Sequence, residues 1–145
     1  MKVKLTHKSG YHATIENDRG HQISIDNKSS EEKPKGASPM ELLLMGVAGC
    51  SSIDIISILN KQKVAFDALE IDVDGERVDK PAPSLFTKIH ATVRVTGNVN
   101  PEKIYRAAHL SFTKYCSVSL TLAATAQISF SVIVNNIPHA QEQKI

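Results

Sequence analysis

Cys50 and Cys116 are the only two cysteines of the chain, and their thiols are the most reactive side chains in its composition. A thiolate is a nucleophile, whereas a thiol sealed among hydrocarbon behaves as a small apolar residue. Both readings are open for two cysteines in a reducing compartment, where a permanent structural disulfide is rare. Other chemistry finds little support in the pattern. Six histidines (His7, His12, His21, His90, His109 and His139) are scattered, with no helical pair three or four apart and none within a few residues of a cysteine. A zinc site read from spacing is therefore not expected. Nucleophile-elbow serine, phosphate-loop and dinucleotide-fingerprint patterns are absent.

The stretch carrying Cys50 starts as a helix. Ser38, followed three residues later by Glu41, is a capping box, and Pro39 takes the first helical position, where a missing N–H costs nothing. From Leu42 to Leu59 the only charged residue is Asp54, and apolar side chains occur on every face. That distribution predicts a central helix surrounded by protein. The run is near the lower length limit for a membrane span, but Asp54, three serines and two glycines make it a poor one. Lysines at 61 and 63 suit its C-terminal end.

Cys116 is predicted to end a second helix. Asn100 and Pro101 give its start, and Ile104, Ala108, Phe112 and Tyr115 fall along one face at helical spacing. A short helix or turn follows from Cys116 to Leu122. Strand-period alternation marks the remaining elements: Val3 and Leu5, Tyr11 to Ile15, Ile23 and Ile25, Leu69 to Val73, Ile89 to Val95, and Ile128 to Val134. Asn17-Asp18-Arg19-Gly20 is a hairpin turn, with Arg19 at its tip. Residues 27–35 form a polar connector, residues 79–83 a proline-containing loop, and the chain from Pro138 a flexible tail. The expected fold is α+β with an antiparallel sheet and a long buried central helix, in one domain over 1–137 with a tail over 138–145.

A net charge of +2 with few aromatic residues gives no nucleic-acid footprint. The first residues, Met1-Lys2-Val3-Lys4-Leu5, are not a secretory leader. A cytoplasmic protein, off the membrane, is expected.

Ser38-Pro39-Met40-Glu41-Leu42-Leu43-Leu44-Met45-Gly46-Val47-Ala48-Gly49-Cys50, with Lys114-Tyr115-Cys116-Ser117-Val118-Ser119 about 65 residues further on, resembles the OsmC/Ohr family. The element order agrees from about residue 3 to 135. The resemblance implies an intertwined homodimer with two sites at the subunit interface. In its better-understood branches these sites reduce organic hydroperoxides, with no bound cofactor or metal, and are recycled by an external dithiol of the dihydrolipoyl type. Carried onto this sequence, Cys50 takes the peroxidatic position, Cys116 the resolving one, and Arg19 loosely the place of the arginine that holds the first thiolate. Such a cation is needed, because Cys50 lies about three turns into its helix, beyond reach of the positive N-terminal end.

Two positions depart from the pattern. Where the peroxidase branches carry a glutamate to pair with that arginine, this chain has Met40; where proline often follows the resolving cysteine, it has Ser117. Glu41 does not replace the missing carboxylate, since nine residues, or about 900° of helix rotation, put it on the face opposite Cys50. The resemblance thus points to a divergent branch. Its expected activity is thiol-dependent reduction of apolar organic hydroperoxides in oxidative-stress defence, with Leu43, Leu44, Met45 and Val47 as candidate pocket lining. The alternative is a non-catalytic dimeric module that binds an apolar small molecule or senses oxidants through its cysteines.

Overall fold

In a computed structural model of the chain, which describes residues 1–27, 33–78 and 83–145 and leaves aside the side chains of 140–142, the reciprocal cap at Ser38 is formed. The Ser38 N–H donates to Glu41 Oε2 at 2.8 Å and the Glu41 N–H to Ser38 Oγ at 3.3 Å. Helix α1 (Pro39–Lys61) follows. Two compact units are distinguished, residues 1–43 and 44–145.

The N-terminal unit is a three-stranded antiparallel meander of β1 (Val3–Ser9), β2 (His12–Asn17) and β3 (Gln22–Ile25). Its second turn is built by Asn17, whose Oδ1 accepts from the backbone N–H groups of Arg19 (2.9 Å) and His21 (3.1 Å). Gly20 takes a φ of 82°, a conformation that favours glycine. After β3 the buried Asp26 carboxylate accepts from the N–H of Asn27 at 2.8 Å and of Lys35 at 3.0 Å, tying together the two ends of the connector. These two bonds, Lys35 first, hold its pKa below the usual carboxylate value. Residues 28–32 of that connector, and 79–82 of the later proline loop, lie outside the described residues.

The second unit carries β4 (Ala68–Arg77), β5 (Phe86–Thr96), α2 (Pro101–Leu110), a π-helical turn (Ser111–Tyr115), α3 (Ser117–Leu122), β6 (Gln127–Val134) and β7 (Ile137–Lys144). The sheet order is β4-β5-β6-β7. The β4–β5 pair is antiparallel, as the alternation suggests, with Leu69 opposite Val95 and Val73 opposite Ala91. The sheet as a whole corrects the expectation of an antiparallel one, because β5 and β6 run parallel. The helical segment between them is a crossover connection, which returns the chain in the same direction.

The flexible tail expected from Pro138 is likewise corrected. Residues 137–144 form edge strand β7, antiparallel to β6, after a turn in which Asn135 and Asn136 have φ of 49° and 64°. A pair of such residues matches a tight hairpin turn, and an edge strand tolerates Pro138.

The apolar face of this sheet and the crossover helices make the core. Ile89, Ala91, Val93 and Val95 of β5, Ile128, Phe130 and Val132 of β6, and Ile104, Ala107 and Ala108 of α2 are buried there. Phe112 stacks on Phe130 with ring centroids 5.2 Å apart. Tyr115, predicted to share the apolar face with Phe112, is instead 47% exposed. The π turn adds to the helical period and rotates Tyr115 off that face.

Helix α1 departs from its expected all-round burial. Only Val47, Ser51, Ile55 and Leu59, four residues apart along one stripe, are buried, whereas Met45 and Ile53 are 56% and 69% exposed. One chain covers one side of this helix. It is long and apolar enough to cross a membrane by length and composition alone. The buried stripe is that of a helix packed on protein.

Candidate active site: two thiols and a carboxylate

Regular helix positions the first part of the site. Cys50 and Asp54 are four residues apart on α1, one turn of helix, so their side chains project from the same face. Both are half-buried. On the covered side, Ser51 Oγ donates to the Val47 carbonyl at 2.8 Å, so a buried hydroxyl is satisfied within the helix.

Irregular backbone positions the second part. In the π turn the Cys116 N–H donates to the Ser111 carbonyl at 2.8 Å, the five-residue step of that geometry. Cys116 then leaves the helical region (φ −69°, ψ 92°) and becomes the N-cap of α3. Its sulfur accepts from the Ser119 N–H at 3.4 Å and lies 2.9 Å from Ser119 Oγ. A thiol thus takes the place that a serine or aspartate oxygen usually holds at a helix start.

These elements converge. The Cys50 and Cys116 sulfurs and an Asp54 carboxylate oxygen all lie within 4.8 Å of one another. Both cysteines are free thiols. The carboxylate is oriented by Ser111, whose Oγ donates to Asp54 Oδ2 at 3.2 Å. Burial pushes the Cys116 thiol above its ordinary pKa; the Ser119 hydroxyl and N–H pull it partly back, and the neighbouring Cys50 pushes it up again. Asp54 also lines a cleft of about 360 Å³ with Ser57, Ile58, Lys61, Leu110 and Tyr115. Leu43, Leu44, Met45 and Val47, the pocket lining expected from sequence, do not line it.

Of the three predicted site residues, Cys50 and Cys116 are thus brought together. Arg19 belongs to the N-terminal unit, exposed at its hairpin tip. Glu41 is engaged in the helix cap, as its position predicts. Asp54 was missed as a site residue, although its four-residue spacing from Cys50 carried the signal. Ser111 and Ser119 gave none, because their roles depend on where the crossover folds.

Residues 31–131 match the family model of OsmC-like proteins. Protein YhfA of Escherichia coli K12 is 41% identical over 132 residues, 90% of this chain and 96% of the relative. Among solved structures, an OsmC-like protein from Mycoplasma pneumoniae superposes with a TM-score of 0.80 at 18% identity, over 92% of this chain and 95% of its own. An organic hydroperoxide resistance protein OsmC from Legionella pneumophila gives 0.68 at 17%, over 90% and 94%. At such low identities these two structures attest the fold alone. The extent of the family match and the identity to YhfA go further: this chain belongs to the OsmC-like family.

Proposed function

We propose that the protein reduces organic hydroperoxides through a two-cysteine cycle, with Cys50 attacking and Cys116 resolving, as part of oxidative-stress defence in the cytoplasm. The observation that carries this reading is the approach of the two free sulfurs to within 4.8 Å, across elements far apart in sequence. Small rotations of side chains at that separation can bring two sulfurs to bonding distance.

In the cycle, the Cys50 thiolate attacks one peroxide oxygen and the O–O bond breaks. The alkoxide leaves, takes a proton and becomes an alcohol, and Cys50 becomes a sulfenic acid. The Cys116 sulfur, as thiolate, then attacks the Cys50 sulfur, expelling hydroxide that is protonated to water and forming a disulfide. An external dithiol of the dihydrolipoyl type returns two electrons by thiol–disulfide exchange. A raised Cys116 pKa suits the second role, because a thiol kept protonated does not compete for the peroxide. Arg19 is assigned to holding the Cys50 thiolate, as the family pattern implies.

The proposed working form is a homodimer. The exposed apolar residues of α1, Met45 and Ile53 foremost, support this, because apolar helix surface of that kind calls for a protein cover. The test is consumption of cumene hydroperoxide by the purified chain with a dihydrolipoyl dithiol. Turnover by the native protein, abolished in Cys50→Ser and about tenfold slower in Arg19→Ala, is expected. Equal turnover by native protein and Cys50→Ser, or no turnover with any alkyl or lipid hydroperoxide, would replace this reading with the non-catalytic module.

A further inference from the structure

We infer that Cys50, Cys116 and Asp54 form a three-ligand site for Zn2+, with two thiolate sulfurs and one carboxylate oxygen as donors and a fourth position left to water or a small ligand. The inference stands apart from the peroxide reading, which uses the sulfurs alone and gives Asp54 no task.

Geometry is the first argument. Zinc binds thiolate sulfur at about 2.3 Å and carboxylate oxygen at about 2.0–2.2 Å in a tetrahedron. Two sulfurs sharing it are therefore separated by about 3.7 Å. The three donor atoms here lie within 4.8 Å of one another, about an ångström beyond that separation. Two of the donors occupy one face of α1 a turn apart, the spacing with which a helix presents a pair of ligands to one ion. The third comes from a separate element, which gives the site its third direction.

The surroundings are the second argument. Protein ligands to a metal are held by outer hydrogen bonds that fix their orientation. Ser111 donates to the Asp54 carboxylate, leaving its other oxygen for an ion. Ser119 donates its backbone N–H to the Cys116 sulfur and sets its hydroxyl 2.9 Å away, which fixes the position of that sulfur. The donor set of two soft thiolates and one hard carboxylate suits Zn2+ over the all-oxygen preference of Mg2+ or Ca2+. Asp54 also lines the cleft, so a small ligand can approach the ion from the carboxylate side, and three protein ligands leave one position of the tetrahedron open.

Zinc here would mask both thiols, so a loaded chain carries no free cysteine. The test needs no peroxide. Reduced full-length protein, freed of metal and kept anaerobic, is titrated with Co2+ and then with Zn2+. One Co2+ per chain is expected, with thiolate-to-cobalt charge-transfer absorption and the strong visible bands of tetrahedral cobalt, both removed by Zn2+. Asp54→Asn should retain thiolate absorption but bind at least tenfold more weakly, and Ser111→Ala should weaken binding less. In the native protein, Zn2+ should slow iodoacetamide labelling of both cysteines at least tenfold, a measurement that holds even where a variant folds poorly. Absence of the charge-transfer band, unprotected thiols, or an Asp54→Asn titration identical to the native one would overturn the site. A peroxidase assay that fails while cobalt binds would remove only the peroxide reading.

Discussion

The two regions that carry the cysteines are built by opposite means. Around Cys50 the chain is regular: a capped helix whose every turn follows from local sequence, with the sulfur half-buried at an ordinary helical position. Around Cys116 regularity gives out, and a π turn, an extended residue and a new helix start follow within a few positions, with the sulfur fully buried and bonded to Ser119. The contrast teaches that one residue type acquires two environments from backbone context. Cys50 is half-buried on a regular helix, whereas Cys116 is sealed, and burial holds its thiol above the ordinary pKa.

The sharpest way to break this contrast is to remove each sulfur in turn. Cys50→Ser should lose all hydroperoxide consumption, the initial burst included. Cys116→Ser should keep a burst of about one equivalent per chain and lose turnover, leaving a Cys50 sulfenic acid that a dimedone probe labels. Rapid-mixing measurement of hydroperoxide against chain concentration separates the two. A burst in Cys50→Ser and none in Cys116→Ser would reverse the assignment.

The next largest effect concerns the face of α1 that one chain leaves open. Ile53→Lys puts a charge in the middle of exposed apolar surface. If a second copy covers that surface, an unpaired buried charge costs several kcal/mol at the interface, of the order of ~3 kcal/mol or more. Light scattering after size exclusion should then find monomer where the native chain is dimeric. A lysine variant with unchanged mass in solution would exclude this face from the interface.

The same contrast explains what the sequence could tell. Local rules place whatever is local: the Ser38–Glu41 cap, the Asn100 cap whose Oδ1 accepts from the Glu102 N–H at 2.9 Å, and the alternation of β4 and β5. Arg19 at a hairpin tip is of this kind. What depends on tertiary return is not legible in the same way. Nothing in the alternation of β6 says that it lies parallel to β5, because that direction is set by the crossover before it. Strand β7 looked like a tail because Pro138 and its polar residues satisfy an edge strand and a loop equally well. The all-round apolar run of α1 predicts burial on every side, whereas one chain buries a single stripe, because local composition does not say which faces the rest of the fold reaches. Asp54 is visible as the one charge in that run and Cys116 as the second cysteine, but their nearness is not, since no spacing rule joins residues so far apart.

A smaller effect tests the hold on Cys116. Ser119→Ala removes a hydroxyl 2.9 Å from the sulfur but keeps the backbone N–H, and so takes away one of the two contacts that oppose the burial penalty. The thiol should become harder to ionise, and its labelling in a Cys50→Ser background should slow severalfold at constant pH. A hydrogen bond of this type is worth about 1 kcal/mol. The folded state should lose a comparable amount in urea titration. Faster labelling would mean that packing, and not the hydroxyl, had been restraining the sulfur.

The smallest effects extend the contrast to a second buried acid. Asp26, in the hairpin unit, is held below the usual carboxylate pKa by the N–H groups of Lys35 and Asn27, whereas burial holds Cys116 above the usual thiol value. The two should shape stability at opposite ends of the pH range. As pH falls into the carboxylate range, the unfolded chain takes up the Asp26 proton before the folded one, so the stability Asp26 provides at neutral pH is lost on the acid side. As pH rises through the thiol range, the unfolded chain releases the Cys116 proton first, and stability is lost on the alkaline side. Asp26→Asn should therefore flatten the acid limb of a plot of urea midpoint against pH and leave the alkaline limb alone; Cys116→Ser should do the reverse. If either substitution flattened the other limb, the groups that set these slopes would lie elsewhere in the fold.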